Sequence, residues 1–266
     1  MMNWTLYKRE MKKSLKLLIL FGLVITMYVA IIIGMYEPEM MASLDQIVEM
    51  MPELMSAVGM KAGENTLIGF IISYLYGFIL LVFPMVFCMI RANGLVSSYV
   101  EKGSMVTLLC APIKKSKIVC TQMYVLMSGI LLLIFYATGL EIGLTMKMFP
   151  NEIVVKEILM LNGGLLCLHI FIGSICFLAS CLFSETKYSL AFGVGIPTFM
   201  YVVQMLGNVG EKAEFLKNYT FFTLFDTYGL VSGTMEAIVS ALLLLVGAFV
   251  LYALSVLVFC RKDMHV

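Results

Sequence analysis

Long runs of apolar residues, separated by short polar segments, recur along the whole chain. Six runs are long enough to cross a membrane: residues 17–36, 66–90, 119–144, 158–183, 190–206 and 237–260. A helix of about 20 apolar residues spans the hydrocarbon layer, and in lipid the backbone must satisfy its hydrogen bonds internally. The pattern predicts an all-α integral membrane protein, a single six-span domain covering residues 1–266.

Composition supports this class, since 61% of the residues are hydrophobic and 13% are charged. The net charge of +1 hides an asymmetry, because the side of the bundle with both termini carries thirteen of the eighteen Lys and Arg residues. Cytoplasmic segments are enriched in Lys and Arg, so both termini are predicted to be cytoplasmic. The lipid bilayer is the predicted environment, and no nucleic-acid partner is expected.

The first sixteen residues mix apolar and basic side chains. As a helix, residues 1–16 are predicted to lie flat on the inner membrane surface, with Trp4 and Tyr7 at headgroup depth. The simpler interpretation is a basic flank that sets the topology and has no further role.

A second amphipathic stretch lies in the predicted outer segment, residues 37–65. Between residues 43 and 60, apolar side chains recur at helical spacing against acidic ones. Ser43 is the predicted N-cap and Pro52 a predicted kink. Because of its charges, this segment is predicted to lie on the outer face rather than to span the membrane.

The longest predicted cytoplasmic loop, residues 91–118, has a short apolar centre, SMVTLLCAP. Since Pro112 disfavours helical geometry at the preceding residue, a helix is predicted from about residue 103 to residue 110. This helix is too short to enter the bilayer. It therefore binds either lipid headgroups or a groove on a soluble partner.

The order of these features resembles the permease subunit of bacterial type-2 ABC exporters. Shared features are the basic amphipathic N-terminus, the outer segment with Leu-Asp and Met-Pro-Glu, and the Arg-Lys-Asp tail at residues 261–263. The loop contributes Glu101, Gly103, Leu108, Leu109, Pro112, Lys114 and Lys115. The last outer segment, NYTFFTLFD at residues 218–226, lacks the proline that the family often carries there.

The resemblance implies a half-transporter of the bacterial plasma membrane that exports an unidentified substrate. Its partners would be two ATPase subunits, which bind ATP and Mg²⁺, and a second permease copy or a related permease. The loop would dock on the ATPase, with Met105, Leu108 and Leu109 filling a groove. The chain has no Gly-x-x-x-x-Gly-Lys-Ser/Thr sequence, so it is predicted to be non-catalytic and to hold no cofactor itself.

Polar residues inside the spans are candidates to line a pathway, because polar groups in lipid are costly. They are Glu141, Asn162, His169 and Gln204. The alternative is that Glu141 reaches the outer interface, and that Asn162 and Gln204 hydrogen-bond between helices.

Two prolines, Pro84 and Pro197, fall inside predicted spans and remove backbone hydrogen bonds. They are candidate hinges for alternating access. Helix packing is the alternative explanation, since proline is common in membrane helices.

Neither a catalytic site nor a metal site is predicted. The two histidines are too few for a His-based metal site, and Gly-x-Ser-x-Gly is absent from the sequence. The rival interpretation is an ATP-independent membrane protein: a channel, a secondary carrier or a scaffold. A secondary carrier would more typically show an inverted repeat and charged residues at mid-membrane.

The charge asymmetry predicts which loops are outside. In a background without the native cysteines, Ser56→Cys should react with an impermeant thiol reagent on intact cells, and Ser116→Cys should not. Labelling of Ser116→Cys alone would contradict the predicted topology.

Overall fold

The computed structural model describes residues 2–36, 46–59, 66–110, 113–150, 155–209 and 211–262, and the regular structure of these residues is helical. Six helices are long and apolar enough to cross a membrane. The prediction of an all-α, six-span membrane protein is therefore confirmed.

The spanning helices alternate with short helices at the two ends of the bundle. The spans are α1 (Trp4–Gly34), α3 (Leu67–Ile71, Ile72–Ile79 and Leu80–Leu95), α6 (Lys115–Met148), α7 (Val155–Leu182), α8 (Thr186–Asn208) and α10 (Met235–Arg261). The short α-helices are α2 (Pro52–Ala57), α4 (Ser97–Glu101), α5 (Ser104–Leu109) and α9 (Thr227–Ser232). Two 3₁₀ helices, Glu211–Tyr219 and Phe221–Leu224, precede α9.

Helix α7 lies at the centre of the bundle and packs against α3, α6, α8, α9 and α10. In its most apolar stretch 67% of the residues are buried, against 28% in α1 and α10 and 22% in α8. The exposed positions of these outer helices include large apolar side chains such as Leu23, Phe199 and Phe249. Their surfaces are suited to contact with lipid tails.

The end of the bundle that holds the N-terminus of α1 and the C-terminus of α10 is called the terminal end. Hydrogen bonds from lysine side chains to helix ends hold it together. The Lys115 ammonium donates to the carbonyl of Lys262 at 3.3 Å, and the Lys262 ammonium donates to the carbonyl of Leu182 at 2.8 Å. These bonds join the start of α6 to the ends of α7 and α10. The N-terminus of α1 lies at the same end, because Asn3 N–H donates to Thr121 Oγ1 near the start of α6.

The opposite end, which we call the distal end, is marked by an aromatic group. Tyr36 packs on Phe70 and Phe149, with ring centroids 5.5 and 5.1 Å apart. The rings bring together the end of α1, the start of α3 and the end of α6.

The N-terminal segment differs from the prediction of a helix lying flat on the surface. From Trp4 onward it is the first part of α1, continuous with the first span. It runs alongside α6, where the Tyr7 hydroxyl donates to Ser128 Oγ at 2.9 Å. Its inward positions Glu10 and Ser14 are buried. Polar bonds therefore hold this segment against the bundle as a direct extension of the first span.

The predicted outer segment is described from residue 46 to residue 59. Residues 46–50 are helical, Met51 is not, and α2 begins at Pro52, so the predicted interruption at Pro52 is confirmed. Helix α2 packs on α8. The rest of residues 37–65 lies outside the described residues, as does the predicted cap Ser43.

Helix α3 changes its winding between Ile72 and Ile79, where it is π-helical. A π-helix uses i→i+5 hydrogen bonds and is rare outside short insertions. Gly77 lies in this segment and touches the chain after α2: an added methyl group would overlap the carbonyl oxygen of Val58. Glycine is thus required for the close approach of the outer segment to α3.

Gly77→Ala should destabilise the protein by about 1–3 kcal/mol, the usual cost of forcing a methyl group into a packed site. The measurement is the thermal unfolding midpoint in detergent. Gly139→Ala on α6 is the control, because no atom lies within 4 Å of the added methyl group. Equal midpoints for the two variants would contradict the described contact.

Candidate functional site

A buried polar cluster joins α3, α6 and α7 near the distal end. Glu141 Oε2 accepts hydrogen bonds from the Tyr76 hydroxyl at 2.8 Å and from Asn162 Nδ2 at 2.9 Å. Asn162 Nδ2 also lies 2.6 Å from the Tyr76 oxygen and 3.1 Å from the Ile158 carbonyl oxygen. We call Tyr76, Glu141 and Asn162 the distal cluster.

The distal cluster is enclosed by protein. Glu141 is 0% exposed, Tyr76 1% and Asn162 3%. Glu141 is therefore enclosed within the bundle. Asn162 hydrogen-bonds to residues of two other helices, Tyr76 of α3 and Glu141 of α6.

Two oxygen atoms of the distal cluster have no hydrogen-bond partner among the described residues. They are Glu141 Oε1 and Asn162 Oδ1, and both are buried. The three ion pairs of the described part of the chain lie elsewhere. Inside the bundle, the Glu141 carboxyl group thus accepts hydrogen bonds from neutral donors on Oε2 and has no hydrogen-bond partner on Oε1 among the described residues.

Helical geometry explains how α7 presents its polar residues to α3. Asn162 and His169 share one face of α7, as predicted, and both contact α3. The His169 ring places Nδ1 2.9 Å from the Leu165 carbonyl oxygen and Nε2 3.1 Å from the Leu81 carbonyl oxygen. Leu81 lies in the turn before Pro84, so His169 binds the backbone of α3 next to its proline.

The two candidate hinges lie within helices. Pro84 is buried inside α3, and Pro197 is buried inside α8. Only α3 combines its proline with a π-helical segment among the described helices. The hinge and packing roles both remain compatible with these positions.

Gln204 belongs to a separate site, a distal cavity of about 230 Å³. Its side-chain oxygen accepts hydrogen bonds from the hydroxyls of Thr220 and Thr223, the latter at 3.1 Å. These partners belong to the connection between α8 and α10, so Gln204 does not join two spans. Aromatic and polar side chains line the cavity, among them Tyr76, Tyr201, Gln204, Asn208, Lys217 and Phe225.

A second polar cluster, the terminal cluster, surrounds the buried Glu10 and consists of Glu10, Lys13, Arg91 and Tyr99. Arg91 Nη2 lies 3.2 Å from Glu10 Oε2 and donates to the Glu10 backbone carbonyl at 2.8 Å. Glu10 Oε1 accepts from the Tyr99 hydroxyl at 2.6 Å and from Lys13 at 3.0 Å. The Glu10 side chain is 0% exposed.

The terminal cluster was not identified from the sequence. Glu10 lies in a stretch rich in Lys and Arg, so it looked like part of a solvated basic flank. Glu10 is four residues from both Leu6 and Ser14, so the three share one helical face. That spacing could have indicated that Glu10 faces the bundle. Since Tyr99 belongs to α4, the cluster connects α1 directly to the loop after α3.

The predicted loop helix is present as α5, one turn and a half long, after Gly103 with its positive φ of 69°. Its apolar side chains are not all free to fill a groove on a partner. Met105 is 2% exposed and belongs to the core of the bundle, and Leu108 packs against that core. The predicted docking role of Met105 is corrected accordingly, because its side chain is enclosed by its own chain. Leu108 is half-buried against the core, so its predicted docking role stays a prediction.

The other predicted docking residues lie on either side of Met105 in the sequence. Glu101, Gly103 and Lys114 are exposed, and Lys115 is half-buried through its bond to Lys262. Pro112 and the Leu109 side chain lie outside the described residues.

No family model matches this chain, and no curated protein matches it either. Among the described residues, no group of three or more His, Cys, Asp or Glu side chains could hold a metal ion.

Replacing Arg91 by Met should cost about 3 kcal/mol in the free energy of unfolding, because it leaves a buried carboxylate without its closest guanidinium. Denaturant unfolding in mixed micelles provides the measurement. Arg9→Met is the control, since Arg9 is an exposed arginine on α1, next to Glu10 in the sequence. The double variant Glu10→Leu, Arg91→Met should recover most of the loss. An Arg91→Met protein as stable as the control would show that the pair contributes nothing.

Proposed function

We propose that this protein is the membrane subunit of an ATP-driven export complex, working with a separate ATPase. The observation that carries the proposal is α5, a short helix held at the terminal end between the second and third spans. Resemblance of the loop sequence to type-2 ABC permeases supports it. The terminal end faces the cytoplasm, and two ATPase subunits and a second permease complete the assembly.

The exposed residues around α5 form the docking surface in this proposal. Glu101 and Lys102 are exposed on one side of the helix, and Lys114 is exposed on the other. Charged side chains at the rim of a contact direct association and fix its register. The surface therefore suits a partner that presents charges of both signs.

Two contacts would transmit a movement of the ATPase to the spans. Met105 is inserted in the core, so displacement of α5 moves the side chains packed around it. Tyr99, in the helix before α5, donates to Glu10 of α1 at 2.6 Å. A closing ATPase would thereby act on α1 and on the core of the bundle together.

A second candidate function is an ATP-independent carrier. The buried Glu141 favours it, because an ionisable group inside a membrane bundle is a feature of proton-coupled and ion-coupled carriers. In this case the terminal loop binds only lipid headgroups or its own bundle.

A photo-crosslinking amino acid in place of Lys102 tests the first candidate. In membranes of the native host, it should form an adduct with a protein that contains Gly-x-x-x-x-Gly-Lys-Ser/Thr, identified by mass spectrometry. The physical reason is that Lys102 is exposed beside the anchored helix α5.

Lys147 is the matched control, because it is equally accessible but lies at the distal end. The same substitution there should give no adduct with a nucleotide-binding protein. If position 102 gives none either, while the protein is inserted at its normal level, the ATP-driven function is excluded in favour of the carrier.

A further inference from the structure

Among the described residues, Glu141 of the distal cluster has no partner that balances a negative charge. From α3 the titratable Tyr76 faces it, and from α7 only the amide of Asn162 does. The parts of α1 and α10 within the bundle carry no charged residue from 17 to 36 or from 237 to 260. Glu236, at the start of α10, is exposed.

A bare carboxylate in such surroundings costs far more free energy than the two hydrogen bonds to Oε2 return. The charge is removed if the group takes up a cation. Ca²⁺ and Mg²⁺ require about six or more oxygen ligands, whereas the cluster offers two unpartnered oxygens among the described residues, Glu141 Oε1 and Asn162 Oδ1. A proton requires one.

The position of Tyr76 suggests how such a proton is exchanged. Tyr76 lines the distal cavity, and its hydroxyl contacts Glu141. Glu141 itself lies about two turns, or roughly 10 Å, from the end of α6. The Tyr76 side chain therefore separates the carboxyl group from the cavity.

We propose that Glu141 is a reversible proton-binding site whose access to the distal cavity is controlled by Tyr76. In the arrangement described, Glu141 is a neutral carboxylic acid. A shift of the Tyr76 ring admits water from the cavity. A carboxylate oxygen then accepts a proton from hydronium, which becomes water, or the acid returns its proton to water.

Within α3, the segment that carries Tyr76 is the one best placed to shift. Tyr76 belongs to the π-helical segment, in which the buried Ser73 hydroxyl also has no partner among the described residues. π-helical segments are rare and are found frequently at functional sites. The site does not depend on the proposed ATPase partner, so it can be examined in the purified chain.

Infrared difference spectroscopy of the full chain in lipid nanodiscs tests the proposal. The wild type should show the carbonyl band of a protonated carboxylic acid, which moves on transfer to D₂O. Glu141→Gln should lose this band, and Glu236→Gln, the control at an exposed acid, should retain it. A wild type without the band, or a band that survives Glu141→Gln, would overturn the proposal.

Two further variants keep the carboxyl group and test the role of Tyr76. Tyr76→Phe removes a hydrogen bond to Glu141 and should shift the band. Tyr76→Ala should accelerate its exchange in D₂O at least tenfold, whereas Tyr201→Ala, at another aromatic residue of the cavity, should not. An unshifted band in Tyr76→Phe, or equal exchange in the two alanine variants, would contradict the assignment.

Sodium provides the last arm of the experiment. At constant pH, added NaCl should leave the band unchanged if the ligand is a proton. Loss of the band in sodium, but not in choline chloride of the same concentration, would identify a metal-cation site and exclude the proton as the specific ligand.

Discussion

Exclusion of water from the spanning part of the bundle is the constraint on which the structure depends. Without water, backbone groups form their hydrogen bonds within helices, and buried polar side chains must form theirs with one another. At the terminal end, Glu10 accepts hydrogen bonds from Arg91, Lys13 and Tyr99. At the distal end, one oxygen of Glu141 accepts hydrogen bonds from Tyr76 and Asn162. These two clusters bind helices that share few other polar contacts, and both of them include α3.

Helix α3 is therefore the element that connects the two ends. Tyr76 lies in the distal half of α3 and Arg91 near its terminal end, and between them are Pro84 and the end of the π-helical segment. The contact from His169 to the Leu81 carbonyl oxygen holds this irregular region against α7. A shift in winding there would act on the distal cavity and on the terminal cluster through one helix. In the proposed transporter, α3 would thus connect the region of α5 to the proposed proton site, although the two are not adjacent.

The site residues show how far single positions could be interpreted from the sequence. Glu141, Asn162 and His169 were identified because a polar side chain within an apolar run is costly and therefore informative. Tyr76 was not, since a tyrosine in a span is common at either interface and its hydroxyl carries no pattern. Met105 was predicted to face a partner because the loop helix has an apolar face. Met105 packs inside the bundle instead, and periodicity cannot distinguish an internal contact from an external one.

The sequence by itself determined the all-α class, the six spans and the break at Pro52. Each of these follows from local rules: the length of an apolar run, the need for internal backbone hydrogen bonds, and the geometry of proline. Only the tertiary structure decided that α1 begins at Trp4 as one continuous helix, that Glu10 meets Arg91, and that Glu141 keeps one oxygen without a partner among the described residues. Those outcomes depend on which helical faces meet, and residues far apart in the chain determine that jointly. The sequence of a helix shows its own apolar periodicity, but it does not show which other helix packs against it.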